Sequence, residues 1–382
     1  MAKPLLRLWR RVLATLSLTV LCAAASAENG VSSNTIVLGQ SVALTGPLAE
    51  LGQDTANAAR AYFDYVNARG GVHGRKIELI SLDDAYDTNK GVANVKSLIT
   101  EKKVFALFNV MGTGANTAIM PLLNEYEIPS IAPFSGATAL RKPINRLVFN
   151  LRAGYAEELE KIVDHITMRG LERVAVVYQN NGFGKDGLAG VEAALEKRKL
   201  KPTAKATVEN DASDAAKAAK ELAQSKPQAV VMITAGKPSV EFIKAYNLLE
   251  TGIPYFTLSV MGTQTSVNAL GKHGVGVVVS QVVPFPFSVV SEIVQEYKQV
   301  MEEAKISTRS FMSMEGFLNA KLMVEALRRT GRDPSRAKLI TALEGMNRVE
   351  FGGFLINLSK NRRQASEYVE LTVISKDGKF LR

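Results

Sequence analysis

The sequence predicts an α/β fold with parallel sheets, doubly wound and divided into two lobes. Three observations predict it. Short apolar runs rich in β-branched residues alternate with helical patterns from end to end. Most of these runs are continuous rather than alternating, as expected of strands buried on both faces of a parallel sheet. The alternation then restarts after Leu151-Arg152, so the second half is built like the first.

The chain opens on a secretory leader, residues 1–27. Lys3, Arg7, Arg10 and Arg11 form its basic end, Val12–Ala24 its apolar stretch and Ala25-Ser26-Ala27 an A-x-A cleavage site. The stretch is too short to span a bilayer comfortably. Cys22 would suit a lipid anchor, but bulky Leu21 precedes it where such sites want a small residue. Export through a cleavable signal peptide, to the periplasm, is the expectation. What remains is roughly 350 residues, more than one core of ~250–300 residues accommodates.

The formal net charge is +10. Four of those charges belong to the leader, and the rest are unclustered apart from Lys360-Asn361-Arg362-Arg363, which reads as a solvated turn. No basic stripe for nucleic acid is present. The single Cys and single Trp are Cys22 and Trp9, so the exported part folds without a disulfide and has no thiol chemistry.

The elements follow in order. Strands are expected at Ile36–Gly39, Ile77–Leu82, Phe105–Val110, Ser130–Ala132, Val174–Tyr178, Ala229–Thr234, Tyr255–Leu258 and Val275–Val283. Ala59, Tyr62, Phe63 and Val66 repeat at i, i+3, i+4, i+7, and Gly70-Gly71 ends that helix. Val92, Val95 and Ile99 repeat the stripe behind Asp87, a plausible N-cap. Helices are expected near Val289–Ala304, Phe311–Arg329 and Ala337–Glu344, then hairpin-like strands at Gly353–Leu358 and Tyr368–Ser375. Lobe 1 is assigned 28–153 plus 284–352, and lobe 2 154–283 plus 353–382.

Four motifs together resemble the type I periplasmic solute-binding proteins of ABC importers, in the branched-chain amino-acid-binding group, over essentially residues 34–382. They are Leu44-Thr45-Gly46-Pro47 with Gly52; Val66-Asn67-Ala68-Arg69-Gly70-Gly71-Val72-His73-Gly74-Arg75-Lys76-Ile77; Asp83-Asp84 and Asp87 with Asn94 and Leu98-Ile99; and Met314-Glu315-Gly316-Phe317 with Ala320-Lys321. The resemblance implies two Rossmann-like lobes joined by three hinge crossings and closing on a solute. It also implies a membrane ABC permease as partner, and a receptor acting as a monomer. No cofactor is expected.

The same resemblance points to site residues. Met111-Gly112-Thr113-Gly114-Ala115-Asn116 opens a helix where the family holds a carboxylate on hydroxyl and backbone N–H groups. Gly112 replaces the serine of the amino-acid binders, leaving Thr113 to supply the hydroxyl, with Gly114 beside it. The string also mimics the start of a dinucleotide fingerprint, but Thr117 stands at its third glycine. Phe134, Ser135 and Gly136 match the second ligand loop, or form an ordinary Ser/Gly turn. In lobe 2, Phe183 stands where the amino-acid binders have a tyrosine, as a pocket wall or as a helix staple. Ala235, Gly236 and Lys237 form the matching second loop, Lys237 being either a solvated charge or a partner for an anion.

Departures from the family bear on the solute. The segment Tyr255–Met261, whose Met261 is taken as a ligand position, offers no acid for an ammonium, and a buried ammonium without a partner costs several kcal/mol. Leu51 replaces a tyrosine, and the family's disulfide positions hold Tyr86 and Met111. An aromatic or aliphatic carboxylate becomes credible alongside an amino acid. Glu315 is expected to be structural. His73, His165 and His273 have no metal spacing, and no Gly-x-Ser-x-Gly elbow is present. Asp83, Asp84 and Asp87 lack the spacing of a calcium loop. The leading reading is an extracytoplasmic receptor delivering a small carboxylate-bearing solute, either an amino acid or an aromatic or aliphatic acid. The alternative is a solute-sensing module signalling to a membrane receptor or regulator. An enzyme on this fold would need an acid, base or nucleophile that these loops do not supply.

Overall fold

A computed structural model of the chain describes residues 28–261 and 263–382, so the leader and Cys22 lie outside the described residues. The first lobe contains β1 (Thr35–Val42), α1 (Ala49–Ala68), β2 (Lys76–Asp83), α2 (Thr88–Thr100), β3 (Ala106–Phe108), the short helices α3 (Thr113–Ala118) and α4 (Met120–Glu125), β4 (Ser130–Ile131) and β5 (Val148–Phe149). The second contains α5 (Tyr155–Met168), β6 (Val174–Gln179), α6 (Gly182–Glu196), β7 (Lys205–Val208), α7 (Ala215–Ala223), β8 (Ala229–Ile233), α8 (Lys237–Asn247), β9 (Tyr255–Thr257), α9 (Gln264–Leu270) and β10 (Val278–Gln281). The chain then forms α10 (Glu292–Glu303), α11 (Phe311–Thr330), α12 (Arg336–Glu344), β11 (Val349–Phe351), β12 (Phe354–Ile356), β13 (Glu370–Ile374) and β14 (Phe380–Leu381).

The lobes repeat one topology. The first sheet runs β2-β1-β3-β4-β5, all parallel. The second runs β7-β6-β8-β9-β10 in the same order, then adds β13 and β14 antiparallel at its edge. The strand order therefore reverses beside β1 in one lobe and beside β6 in the other. Ligands of open α/β sheets bind outside the carboxyl ends of the strands at such points. Central strands β3 and β8 are buried throughout, which explains their unbroken apolar runs.

Local chemistry sets the helix starts. The Asp87 carboxylate accepts the Lys90 N–H at 2.8 Å and caps α2. Ser310 and Ser313 bond reciprocally across the first turn of α11. That helix is buried on nearly every side and lies against α1, so it shows no amphipathic stripe.

Two expectations are corrected at the C-terminal end. The strands expected at 353–358 and 368–375 do not pair with each other. β12 pairs with β11 across Gly352-Gly353, both at positive φ, while β13 joins β10 and β14. A two-residue Gly-Gly loop matches the twist of a hairpin and drives the nearer pairing. Residues 353–366, expected in lobe 2, bond instead to lobe 1: Ala365 N–H donates to Asn150 O and Ser366 N–H to Leu151 O. The third crossing thus lies between Ser366 and β13.

Candidate functional site

The carboxyl ends of both sheets face each other across a cleft, and the lobes meet around it. Thr138 N–H of lobe 1 donates to the Asp186 carboxylate of α6 at 3.0 Å. Thr265 N–H of lobe 2 donates to Glu50 of α1 at 3.2 Å. Gly236, at positive φ, packs beneath Pro47 and Leu48 across the gap.

Between these contacts lies a small cavity. Lobe 1 contributes Leu48, Leu51, Tyr86, Met111, Gly112 and Phe134; the other side contributes Tyr155, Phe183, Ala235 and Val260. Tyr155 and Phe183 meet edge to face at 5.1 Å. No Asp, Glu, Lys, Arg or His is in that lining. Its polar side-chain groups are the phenols of Tyr86 and Tyr155. Burial pushes both phenols up, Tyr155 adding to the effect on Tyr86, so both stay protonated.

The wall is positioned from behind. Gly112 adopts φ +91°, and a Cβ there would stand 3.1 Å from the Tyr86 ring; only glycine lets the ring lie across this backbone. Asn116 Nδ2 donates to Val110 O at 2.7 Å and Gly112 O at 2.8 Å, pinning the loop. A second, more polar pocket adjoins the cavity at the cleft mouth, where Asp84, Asp87, Thr88, Gly114, Asn181 and Asn210 join the shared wall.

Of the residues expected at the site, Leu51, Gly112, Phe134, Phe183 and Ala235 line the cavity, and Gly114 lines the mouth. Thr113 and Ser135 stand one layer back, their hydroxyls 2.8 Å apart. Gly136 packs against the Tyr155 ring and faces another surface pocket. Gly236 is an interlobe contact. Lys237 is exposed at the start of α8 and outside the cavity lining, because the first residue of that helix points to solvent. Met261 is fully buried in a 3₁₀ turn and also outside the lining, its neighbour Val260 taking that place. Leu48, Tyr86, Met111, Tyr155 and Val260 were not on the expected list. A signal existed for two of them: Tyr86 and Met111 occupy positions that the resembled family bridges, so they had to be neighbours.

Behind the aromatic wall sits a buried charge cluster. The Arg152 guanidinium lies 5.4 Å from the Phe134 ring centre and 5.7 Å from that of Tyr155. Its Nη2 donates to Glu158 at 3.1 Å and to the Ser259 hydroxyl, and its Nη1 to Glu315 at 3.4 Å. Arg152 lies at the first crossing, Glu315 on α11 of lobe 1 and Glu158 on α5, so the cluster ties the lobes at the hinge. Among the described residues, no three His, Cys, Asp or Glu side chains are grouped to hold a metal ion, and no helix is long and apolar enough to cross a membrane.

Two doubly wound lobes that close on a small apolar cavity at matching switch points define a solute-binding receptor. The family model described as periplasmic binding protein matches residues 35–379, and the chain belongs to that family, in its type I, branched-chain amino-acid-binding group. A Leu/Ile/Val-binding protein homologue of Brucella abortus is 24% identical over 342 residues, covering 83% of each chain. A possible leucine/isoleucine/valine-binding protein from Rhodopirellula baltica superposes with a TM-score of 0.85 at 28% identity, covering 92% of this chain and 97% of its own. An extracellular ligand-binding receptor from Verminephrobacter eiseniae gives 0.84 at 30% identity, covering 91% and 100%. These are binding proteins and not enzymes, and the family places the protein in the periplasm.

Proposed function

We propose that the protein captures a small carboxylate without an amino group, an aromatic or short aliphatic acid, and delivers it to an ABC-type permease. The observation that carries this reading is the cavity lining: four aromatic rings, aliphatic side chains and no Asp, Glu, Lys, Arg or His. An ammonium in that cavity would meet no acid in its lining and would cost several kcal/mol to bury; Asp84 and Asp87 line the adjoining pocket, and Asp84 already accepts the Ser41 hydroxyl and the Tyr86 N–H. A carboxylate finds protonated phenols, and charge-assisted hydrogen bonds of that kind are strong. The permease is carried over from the family, as is monomeric action.

The relatives named for leucine, isoleucine and valine make the contrast testable. Ligand-stripped protein is melted with matched pairs: leucine against 4-methylpentanoate, and phenylalanine against 3-phenylpropanoate. A ligand at a hundred times its Kd stabilises by about 2.7 kcal/mol, so a true solute raises Tm visibly. The deaminated acid of each pair is expected to give the larger shift. A larger shift with the amino acid refutes the reading.

A further inference from the structure

Tyr86 is held in place against its own backbone preference. Ala85 and Tyr86 both adopt left-handed conformations, φ +50° and +64°. Two such residues in succession, the second aromatic, are uncommon without glycine and persist only where surroundings over-determine them. The surroundings do so here. Asp83 accepts the N–H groups of Leu44, Thr45 and Ala85 at 2.8–3.1 Å. Asp84 accepts Tyr86 N–H at 2.8 Å and the Ser41 hydroxyl at 2.7 Å. The result of all these bonds is one ring laid over Gly112 into the cleft.

Tyr155 is fixed as firmly. It is the first residue of α5, its N–H donates to Gly136 O at 2.8 Å, and its ring sits in the notch that Gly136 leaves by lacking a side chain. The Tyr155 phenol lies beside the Ser135 hydroxyl, which is itself shared with Thr113. Both tyrosines line the same small cavity between the lobes, so a solute that fills it touches both walls.

We infer that Tyr86 and Tyr155 form a two-pronged clamp, each donating its phenolic hydrogen to one carboxylate of the bound solute. The inference rests on the carboxylate reading above and adds how the anion is held. Tyr86 stands on lobe 1, and Tyr155, at the start of α5, is tied to lobe 1 through its N–H bond to Gly136 O. Phe183, Ala235 and Val260 close over the apolar remainder.

The test uses the ligand-stripped full receptor, wild type, Tyr86→Phe, Tyr155→Phe and the double variant. Each is titrated calorimetrically with 3-phenylpropanoate and its neutral isostere 3-phenylpropanamide, and with 4-methylpentanoate and its amide. Wild type is expected to prefer acid over amide at least tenfold. Each Phe variant should weaken acid binding about tenfold, a typical loss for a hydrogen bond to a charged group, while amide binding changes less than about threefold. A purely structural role would move acid and amide together, so an unchanged acid-to-amide ratio in both variants overturns the clamp. Equal binding of acid and amide by wild type overturns it as well. If wild type prefers leucine and phenylalanine to the deaminated acids, the amine-free reading falls. The same two variants measured on those amino acids then decide the clamp separately. Binding of none of these probes by wild type overturns both.

Discussion

Replacing Glu315 by glutamine should flatten the pH dependence of stability between pH 5 and 8. Glu315 is 1% exposed on α11. It receives only Arg152 Nη1, at 3.4 and 3.5 Å to its two oxygens. Glu158 is far better supplied, accepting Arg152 Nη2 at 3.1 Å, Ser259 N–H at 2.9 Å and the Ser280 hydroxyl at 2.6 Å. Burial pushes the Glu315 carboxyl up to about 7; Arg152 pulls it back and Glu158 pushes it further. The folded chain therefore binds this proton more tightly than the unfolded chain, where the ordinary value is 4.5. The resulting stabilisation is complete below that unfolded value and is lost as pH rises through about 7. At about 1.4 kcal/mol per pH unit, the loss across the window is about 3 kcal/mol. Glutamine keeps an oxygen for Arg152 and cannot ionise. The variant should lie within about 1 kcal/mol of wild type at pH 5 and exceed it by about 2–3 kcal/mol at pH 8. Urea denaturation followed by circular dichroism at pH 5, 6, 7 and 8 measures both proteins. Parallel stability curves would refute the reasoning, as would a variant less stable than wild type at pH 8, because Arg152 would then require the charge.

Three other outcomes follow from the packing. Gly316→Ala places a Cβ 2.1 Å from the carbonyl oxygen of Thr55, which forces α1 and α11 apart; a loss of about 3 kcal/mol is expected by denaturation. Asp87→Ala removes the acceptor of the Lys90 N–H and should cost about 1 kcal/mol in the same assay. Phe183→Ala removes a cavity wall and the edge-to-face partner of Tyr155, so calorimetric titration should show solute binding weakened about tenfold, and because the ring is buried the variant should also be less stable by about 3 kcal/mol.

Much of the fold was legible because its signals are local. Continuous apolar runs marked the central strands of both sheets, and the observed elements extend or trim those runs by a few residues. Asp87 was readable as a cap because its carboxylate needs only the next turn of helix. The short strands β5, β7 and β14 were not anticipated, because two to four residues carry too little pattern. The Gly352-Gly353 hairpin differs from the expected pairing because its partner strand, Val349–Phe351, is only three residues long.

The candidate site divides along the same line. By itself the sequence determined the family, the two repeated lobes and the loops that face the cleft, since each depends on neighbours in the chain. It also showed that Leu51 and the segment ending at Met261 depart from the residues the family resemblance leads one to expect there. Only the tertiary structure decided which side chains of those loops reach the cavity. Phe183 lines it while Lys237 turns to solvent, and Val260 takes the place expected of Met261. Tyr86 and Tyr155 stand 69 positions apart and share one pocket because a strained turn and a crossing, fixed by hydrogen bonds from other elements, aim both phenols inward. Such convergence depends on distances between elements, and no pattern within a single element encodes it.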